Sequence, residues 1–177
     1  MSADPDEFWL LRDTGLVISN AGVSVRLLQA ATPHEWNEAR RLVREYAASL
    51  DVDLSFQKLD AELQHFTTEY AAPGGAFLLA EEAGQFLACI GLRQFSADSG
   101  EIKRLYVVPT ARGRGLGRVL VERIIAVARE TGYRSLLLDT LPFMKEAQAL
   151  YSSLGFQATT AYRFNPIEGS AFLRLDL

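Results

Sequence analysis

The segment VPTARGRGLGR, from Val108 to Arg118, is the most informative part of the sequence because it joins a predicted strand, Glu101–Val108, to a predicted helix that ends near Gly132. The first N–H groups of a helix have no acceptor within the helix, and the helix dipole adds about half a positive charge at that end. Glycines let a ligand approach the backbone closely, and the three arginines of the segment add positive charge. The segment is therefore typical of a site for phosphate or pyrophosphate.

Two common phosphate-binding patterns fit this segment poorly. A P-loop requires G-x-x-x-x-G-K-[ST], and no Lys-Ser or Lys-Thr follows these glycines, which disfavours ATP hydrolysis. A dinucleotide-binding turn requires G-x-G-x-x-G, which Gly113 and Gly115 match, but Arg118 occupies the third glycine position. Asp139 does end the next predicted strand, where a ribose-binding acid would lie. Binding of a nicotinamide dinucleotide therefore stays a minor alternative.

Hydrophobic periodicity on both sides of the segment predicts the order of the elements. Apolar residues at steps of three or four predict helices near 33–50, 59–70, 116–131 and 143–154, the first of them introduced by a capping box at Thr32–Glu35. Strands are predicted over 23–27, 76–80, 85–93, 101–108, 135–138, 156–162 and 171–175. The order β-α-α-β-β-β-α-β-α-β-β predicts an α/β fold with a mixed, mostly antiparallel central sheet of about seven strands and helices on both faces.

Length and composition limit the organisation of the chain. Its 177 residues suit one domain, expected over residues 23–177 after an N-terminal arm or small hairpin over residues 1–22. With one cysteine, Cys89, and two histidines, neither a disulfide nor a metal site is expected. No apolar run approaches the roughly 20 residues of a membrane helix, and the segment Met1–Glu7 is acidic where a secretory signal is basic. We therefore expect a cytoplasmic protein with no membrane partner.

The net charge of −4 is unevenly divided along the chain. Residues 1–101 carry 7 basic and 16 acidic side chains, whereas residues 102–177 carry 11 basic and 6 acidic ones. An anionic ligand is therefore expected at the second half, which contains the glycine-rich segment. No nucleic-acid partner is expected, because general nucleic-acid binders present a strongly basic face.

Two motifs resemble those of one enzyme family. Arg112, Gly115 and Gly117 meet the pattern [QR]-x-x-G-x-[GA], and the sequence L-Y-S-S-L-G-F follows at residues 150–156. With these motifs at this separation the chain resembles the GCN5-related N-acetyltransferases, the GNAT family, and the likeness in element order spans about residues 23 to 175. The resemblance implies the acyl-CoA N-acyltransferase fold and acetyl-CoA as the acetyl donor.

The resemblance also implies which residues hold acetyl-CoA. In the family, the glycine pattern binds the pyrophosphate, and the strand before it splays from the next strand and offers backbone groups, including an N–H near Val107, to the pantetheine arm and the thioester. The implied cofactor-binding residues are Leu105, Tyr106, Val107, Arg112, Gly113, Arg114, Gly115, Leu116, Gly117 and Arg118. Many members carry an Asn where this chain reads Lys-Glu-Ala-Gln at residues 145–148. One contact to the cofactor arm is therefore missing or supplied differently.

Glu101 and Tyr151 are the candidate catalytic residues. Glu101 stands eleven residues before Arg112, an offset that resembles the position of the general base in histone-acetylating members. A carboxylate is a weak base, so it would need burial or a water relay, and the alternative is an exposed carboxylate paired with Lys103. Tyr151 resembles the family's general acid. Proton transfer from a phenol near pKa 10 to a thiolate near pKa 8.5 is uphill by roughly 2 kcal/mol, so a hydrogen bond to the sulfur is the alternative role.

The predicted function is acetyl-CoA-dependent N-acetylation of a primary amine of a small molecule or a peptide. The acceptor is expected against the first two helices and their loop, where Asp51 and Asp53 would attract a cationic amine or remain solvated, and Tyr46 and Phe56 would line the wall or pack in the core. A non-catalytic module that binds acyl-CoA and regulates a partner is the alternative from another functional class. A homodimer through the sheet edges stays open.

Overall fold

The computed structural model describes residues 13–20, 23–50 and 59–177 of the chain. The strands are β1 Asp13–Asn20, β2 Val23–Gln29, β3 Ala76–Glu82, β4 Gln85–Gln94, β5 Ser99–Val107, β6 Ser135–Thr140, β7 Gln157–Ala158 and β8 Ala171–Asp176. The helices are α1 Pro33–Ser49, α2 Leu59–Gln64, α3 Phe66–Tyr70, α4 Leu116–Thr131 and α5 Lys145–Ser153, and a short 3-10 helix, Pro109–Ala111, precedes the glycine-rich segment.

Within the described residues, eight strands form one sheet in the order β1-β2-β3-β4-β5-β6-β8-β7. Neighbouring strands are antiparallel except β5 and β6, which are parallel. This confirms the predicted α/β fold with a mixed, mostly antiparallel sheet. Strand β1 comes from the segment predicted as an arm or hairpin and pairs with β2, while residues 1–12 of that segment lie outside the described part.

Helices cover both faces of the sheet, as predicted. Leu120 and Ile124 of α4 pack with Leu78 of β3 in one hydrophobic cluster. Leu42 of α1 and Phe66 of α3 pack in a second cluster with Phe77, the residue of β3 that precedes Leu78. Successive side chains of a strand point to opposite faces, so the two clusters lie on opposite sides of the sheet. In the described ranges, no helix combines the length and apolarity needed to cross a membrane.

Strand β5 leaves its neighbour β6 partway along its length. The two strands pair only from Ser99 to Glu101, opposite Ser135 to Leu137. Against β4, strand β5 carries one extra residue between Lys103 and Tyr106, a β-bulge that includes Arg104 at φ +60. A bulge bends its strand and increases the local twist. It therefore accompanies the opening of a gap between β5 and β6 beyond Glu101.

Two predicted elements differ from the observed ones. The helix predicted over 59–70 is broken at His65, whose φ of −102 and ψ of 16 leave the helical region between α2 and α3. The strand predicted over 156–162 is reduced to Gln157–Ala158. Tyr162 lies in the loop that follows β7, where its backbone does not extend the strand. Its hydroxyl donates a hydrogen bond to Glu101.

Candidate active site

The gap between β5 and β6 opens into a groove of about 670 Å³, lined by residues of α1, β5, the glycine-rich segment and α5. A smaller cavity of about 60 Å³ continues it inward between the two strands, where Lys103, Asp139 and Tyr151 contribute to the lining. Leu105 and Tyr46 line both, so the groove and the cavity form one cleft. The cleft therefore runs along β5 from the glycine-rich segment to the last pair between β5 and β6.

The glycine-rich segment forms a turn that presents the start of α4 to the groove. Gly113 and Gly115 have φ values of +74 and +80, and a Cβ on either would meet no atom within 4 Å. Glycine is therefore required by the backbone conformation and not by crowding. The first hydrogen bond of α4 runs from the Val119 N–H to the Gly115 carbonyl at 3.2 Å, which leaves the preceding N–H groups without an intrahelical acceptor. An anion is favoured at this position.

The three arginines of the segment have different surroundings. Arg112 lines the groove, and its Nε donates to the Val107 carbonyl at 3.2 Å. Arg114 pairs with Glu82, and Arg118 donates to the Ser153 hydroxyl at 2.6 Å. The structure brings to the groove most of the residues implied for acetyl-CoA, namely Leu105, Tyr106, Val107, Arg112, Gly113, Gly115, Leu116 and Gly117. Arg114 and Arg118 border the turn without lining the groove.

The backbone of β5 offers hydrogen-bonding groups to the gap. The Val108 N–H donates to the Leu87 carbonyl of β4 at 2.9 Å. Backbone groups alternate in direction along a strand, so the N–H and carbonyl of Val107 point away from β4, towards the gap. The Val107 carbonyl accepts from Arg112, which agrees with this direction. The Val107 N–H is thus a donor available to a ligand in the gap.

Tyr151 lies on α5 with its side chain 5% exposed and its ring 5.5 Å from that of Phe156. It lines the inner cavity, and no described residue accepts a hydrogen bond from its hydroxyl. Burial, followed by the nearby Tyr46 and Asp139, raises the pKa of Tyr151 well above its usual value. Burial likewise raises the pKa of Tyr46, on α1, to about 12. Both hydroxyls are therefore protonated at neutral pH and act as hydrogen-bond donors.

Glu101, the other candidate catalytic residue, is 1% exposed and lies at the last pair between β5 and β6. Its Oε2 accepts from Arg93 Nε at 2.9 Å and from Arg163 Nη2 at 2.8 Å. Its Oε1 accepts from the Tyr162 hydroxyl at 3.1 Å and lies 3.9 Å from Lys103 Nζ. The carboxylate is thus neither exposed nor paired with Lys103 alone.

Sequence reasoning missed the buried pair of Lys103 and Asp139, which faces the cleft from β5 and β6. Lys103 Nζ donates to Asp139 Oδ1 at 3.1 Å, and Asn165 Nδ2 donates to Asp139 Oδ2 at 3.0 Å. Burial lowers the pKa of Lys103, an effect opposed by Glu101 and Asp139. Burial would raise the pKa of Asp139, but Lys103, together with Arg163 and Asn165, leaves that pKa below its usual value. Charge patterning along the sequence carried no signal for a pairing across 36 positions.

A second buried ion pair ties α2 to the bulge of β5. Glu62 accepts from Arg104 at 2.9 Å through Nε and at 2.6 Å through Nη2, and the Tyr70 hydroxyl donates to it at 2.8 Å. The side chains of Glu62 and Arg104 are only 4% and 2% exposed. This bidentate contact fixes the side chain of Arg104, the bulge residue with positive φ that helps to line the inner cavity. The predicted acceptor residues Asp51, Asp53 and Phe56 lie outside the described residues.

Comparisons with known proteins agree with this geometry. The chain matches a family model described as "Acetyltransferase (GNAT) family" over residues 28–156. It is 39% identical, over 82% of its length and 90% of the other, to a Schizosaccharomyces pombe protein named uncharacterized N-acetyltransferase C1271.07c. Its fold is similar to an acetyltransferase from Streptococcus agalactiae, with a TM-score of 0.70 and 22% identity over 86% of this chain and 98% of that one. It is also similar to yncA from Salmonella typhimurium, solved with its cofactor acetyl-CoA, with a TM-score of 0.61 and 19% identity over 86% of this chain and 93% of that one.

Proposed function

The chain belongs to the GNAT family of acetyltransferases, and from that premise we propose that it transfers an acetyl group from acetyl-CoA to a primary amine of a small molecule or a peptide. One observation carries this proposal: a cleft that runs from the glycine-rich turn along the open edge of β5 to the Tyr151 hydroxyl. A pyrophosphate site, a strand edge and a donor for a thiolate therefore follow one another along one path. When bound, acetyl-CoA supplies an acetyl thioester, which an amine attacks directly.

The chain's own groups fit this donor. Backbone N–H groups after Gly113 and Gly115, with Arg112 beside them, suit a pyrophosphate. Leu105 and Val107 present backbone groups to the pantetheine amides, and the Val107 N–H is available to the acyl oxygen. Among the described strands, the parallel pairing needed for a dinucleotide fold occurs between β5 and β6 alone, and Asp139 is engaged by Lys103. Nicotinamide-dinucleotide binding is therefore not favoured.

Proton movement in the reaction involves Tyr151 and water. The acceptor amine loses one proton as its C–N bond forms, and the C–S bond breaks with release of a thiolate that takes up a proton. Because its raised pKa makes Tyr151 a weak acid, its role is to donate a hydrogen bond to the departing sulfur. Glu101 is 1% exposed and already accepts three hydrogen bonds, which favours a water relay over direct removal of the amine proton.

Turnover with a panel of primary amines tests the proposal. Free thiol released from acetyl-CoA is measured with each amine present and absent, and the acetylated product is identified by mass. We expect thiol release that depends on both the amine and the protein, and unchanged release by the control variant Arg174→Ala, at an exposed position paired with Asp176. Binding of acetyl-CoA without turnover on any amine would favour the regulatory acyl-CoA-binding module. The cytoplasmic location and the homodimer stay predictions.

A further inference from the structure

Among the described residues, three charged side chains line the inner cavity between β5 and β6, and two of them are open to a ligand. Arg104 is held by Glu62 through two hydrogen bonds. The other two, Lys103 and Asp139, face each other across the gap, with side chains 6% and 4% exposed. The cavity measures about 60 Å³, which corresponds to roughly four water-sized groups. It therefore admits a small polar head group and not a peptide chain.

Lys103 and Asp139 each keep hydrogen-bonding capacity that their mutual contact does not use. Lys103 Nζ carries three N–H groups, and Asp139 Oδ1, at 3.1 Å, is the one described acceptor within hydrogen-bond distance. Glu101 Oε1 lies further away, at 3.9 Å. Each oxygen of Asp139 accepts one hydrogen bond and has a second lone pair; the donors are Lys103 and Asn165, the latter in the β7–β8 loop, residues 159–170. The pair therefore offers donors and acceptors side by side.

The Tyr46 hydroxyl is a further donor in this cavity. Tyr46, on α1, lines the cavity, and its hydroxyl donates to no described residue. Besides burial, the charge of Asp139 contributes to the raised pKa of both Tyr46 and Tyr151, so both hydroxyls lie near this carboxylate. The hydroxyl of Tyr151 is assigned to the departing sulfur. The hydroxyl of Tyr46 is thus the one left for the acceptor.

The charge balance of the pair selects the kind of molecule that it binds. Lys103 and Asp139 carry opposite charges, so the pair is neutral. A ligand group with a single charge would add an unbalanced charge to a buried site, which is costly. A group with one positive and one negative charge keeps the balance and gives each buried side chain a second charged partner. An ammonium with a carboxylate beside it, the head group of a free amino acid, has this property.

We propose that the acceptor is a small molecule with a carboxylate beside its primary amine, as in an α-amino acid. Asp139 binds the ammonium, whereas Lys103 and the Tyr46 hydroxyl bind the carboxylate. Asp139 and Tyr151 line the same cavity, so the amine lies beside the hydroxyl that meets the sulfur. The inference rests on the proposed function, because it names the acceptor class for that same cleft. It excludes lysine side chains of peptides, which have no carboxylate beside the amine.

Pairs of acceptors that differ only in the carboxylate test the proposal. Phenylalanine is compared with phenethylamine, leucine with 3-methylbutylamine, and serine with ethanolamine, all at saturating acetyl-CoA. We expect the wild-type kcat/KM to favour the amino acid by about a hundredfold in at least one pair, because two charged hydrogen bonds contribute on this scale. An equal or higher kcat/KM for the amine in every pair, or a higher one for the lysine side chain of a peptide, would overturn the proposal.

Tyr46→Phe and Lys103→Met remove the groups assigned to the carboxylate. Each should reduce the preference for the amino acid by about tenfold or more, through a higher KM for the amino acid and a smaller change for its amine. Tyr46→Phe should keep the wild-type Tm, because the hydroxyl donates to no described residue. The matched control is Tyr133→Phe, whose lost hydroxyl donates to the Gly74 carbonyl outside both parts of the cleft, and it should keep the full preference.

Asp139→Asn should give a different pattern. Both members of each pair carry an ammonium, so the KM should rise by a similar factor, about tenfold, for the amino acid and for its amine. Equal losses for both members in Tyr46→Phe and Lys103→Met as well would indicate a structural role and refute carboxylate recognition. If Lys103→Met or Asp139→Asn fails to fold, Tyr46→Phe still decides.

Calorimetry separates this inference from the proposed function. Binding of the same pairs is measured with CoA, which has no acetyl group to transfer, and without it. We expect tighter binding of the amino acid than of its amine in at least one pair, and loss of most of this difference in Tyr46→Phe. If the wild-type protein acetylated no amine, the proposed function would fail, whereas this binding difference would still support carboxylate recognition. Turnover of amines with no binding difference in any pair would refute the inference alone.

Discussion

Single residues at this site act through partners that lie far away in sequence. Glu62 meets Arg104 across 42 positions, and Glu101 meets Arg163 across 62. Their positions relative to the two motifs made Glu101 and Tyr151 candidate catalytic residues. Such offsets are short and can be recognised from the sequence alone. It gave no indication of the side chains that surround Glu101, because those contacts depend on how the β7–β8 loop folds back onto β5.

Glu62→Gln should make stability less sensitive to acid. Burial would raise the pKa of Glu62, but the hydrogen bond and charge of Arg104 lower it below its usual value. A carboxyl with a lowered pKa in the folded state stabilises the protein above its unfolded pKa, about 4.3, and this contribution is lost as the pH falls through the lowered value. Urea unfolding of both proteins from pH 7 to pH 3 measures this difference.

At neutral pH we expect Glu62→Gln to be less stable by about 3 kcal/mol, because it removes the carboxylate charge from the buried ion pair with Arg104. The difference from wild type should shrink as the pH falls below 4. A constant difference across the whole range would show that the charge of Glu62 contributes nothing.

Tyr151→Phe and Arg112→Ala should separate catalysis from cofactor binding. Loss of the Tyr151 hydroxyl should lower kcat about tenfold with little change in acetyl-CoA affinity, because a hydrogen bond to a leaving group contributes on this scale. Arg112→Ala should mainly weaken binding of acetyl-CoA. Calorimetry and steady-state kinetics on both variants check this, and an equal loss of affinity in the two would argue against these roles.

At the scale of elements, the sequence predicted most boundaries near the site. The capping box is confirmed, since the Glu35 N–H donates to the Thr32 hydroxyl at 3.2 Å and the Thr32 N–H donates to Glu35 at 2.8 Å. A capping box lies within four consecutive residues and can therefore be recognised from the sequence alone. The bulge in β5 was not predicted, because the extra residue is defined only by the register with β4. The break at His65 and the shortened β7 were not predicted either.

The two ends of α4 provide a matched pair of glycine variants. Gly115 at its start and Gly132 at its end have φ values of +80 and +93, and an added Cβ would meet no atom within 4 Å at either. Gly115→Ala and Gly132→Ala should each lower stability by about 1 kcal/mol through backbone strain. Only Gly115→Ala should weaken acetyl-CoA binding, by about tenfold or more, because Gly132 lies roughly 24 Å away along the helix.

Thermal unfolding and calorimetry of the two glycine variants check this expectation. An equal loss of acetyl-CoA affinity in Gly115→Ala and Gly132→Ala would mean that the turn does not form the binding site.

At the scale of the whole molecule, the proposed function depends on a sheet in which one pair of neighbouring strands, β5 and β6, separates. We call this separation the seam. Strands β4 and β5 stay paired while β5 and β6 part after Glu101, so the core on both faces remains intact around an open strand edge. The mixed order of elements predicted this architecture, and the family resemblance implied the seam. The size and depth of the cleft could not be predicted, because they depend on how α1 and α5 pack beside β5.

Thermal unfolding with and without saturating acetyl-CoA, with NAD and ATP as controls, tests most directly whether this seam is an acetyl-CoA site. A ligand at about 100 times its Kd stabilises the folded state by roughly 2.7 kcal/mol, which for a chain of this size raises Tm by about 5–10 °C. We predict that rise with acetyl-CoA alone, and a smaller one at the same ligand concentration in Gly115→Ala. No rise with acetyl-CoA, or a rise with NAD instead, would contradict the assignment of the cleft.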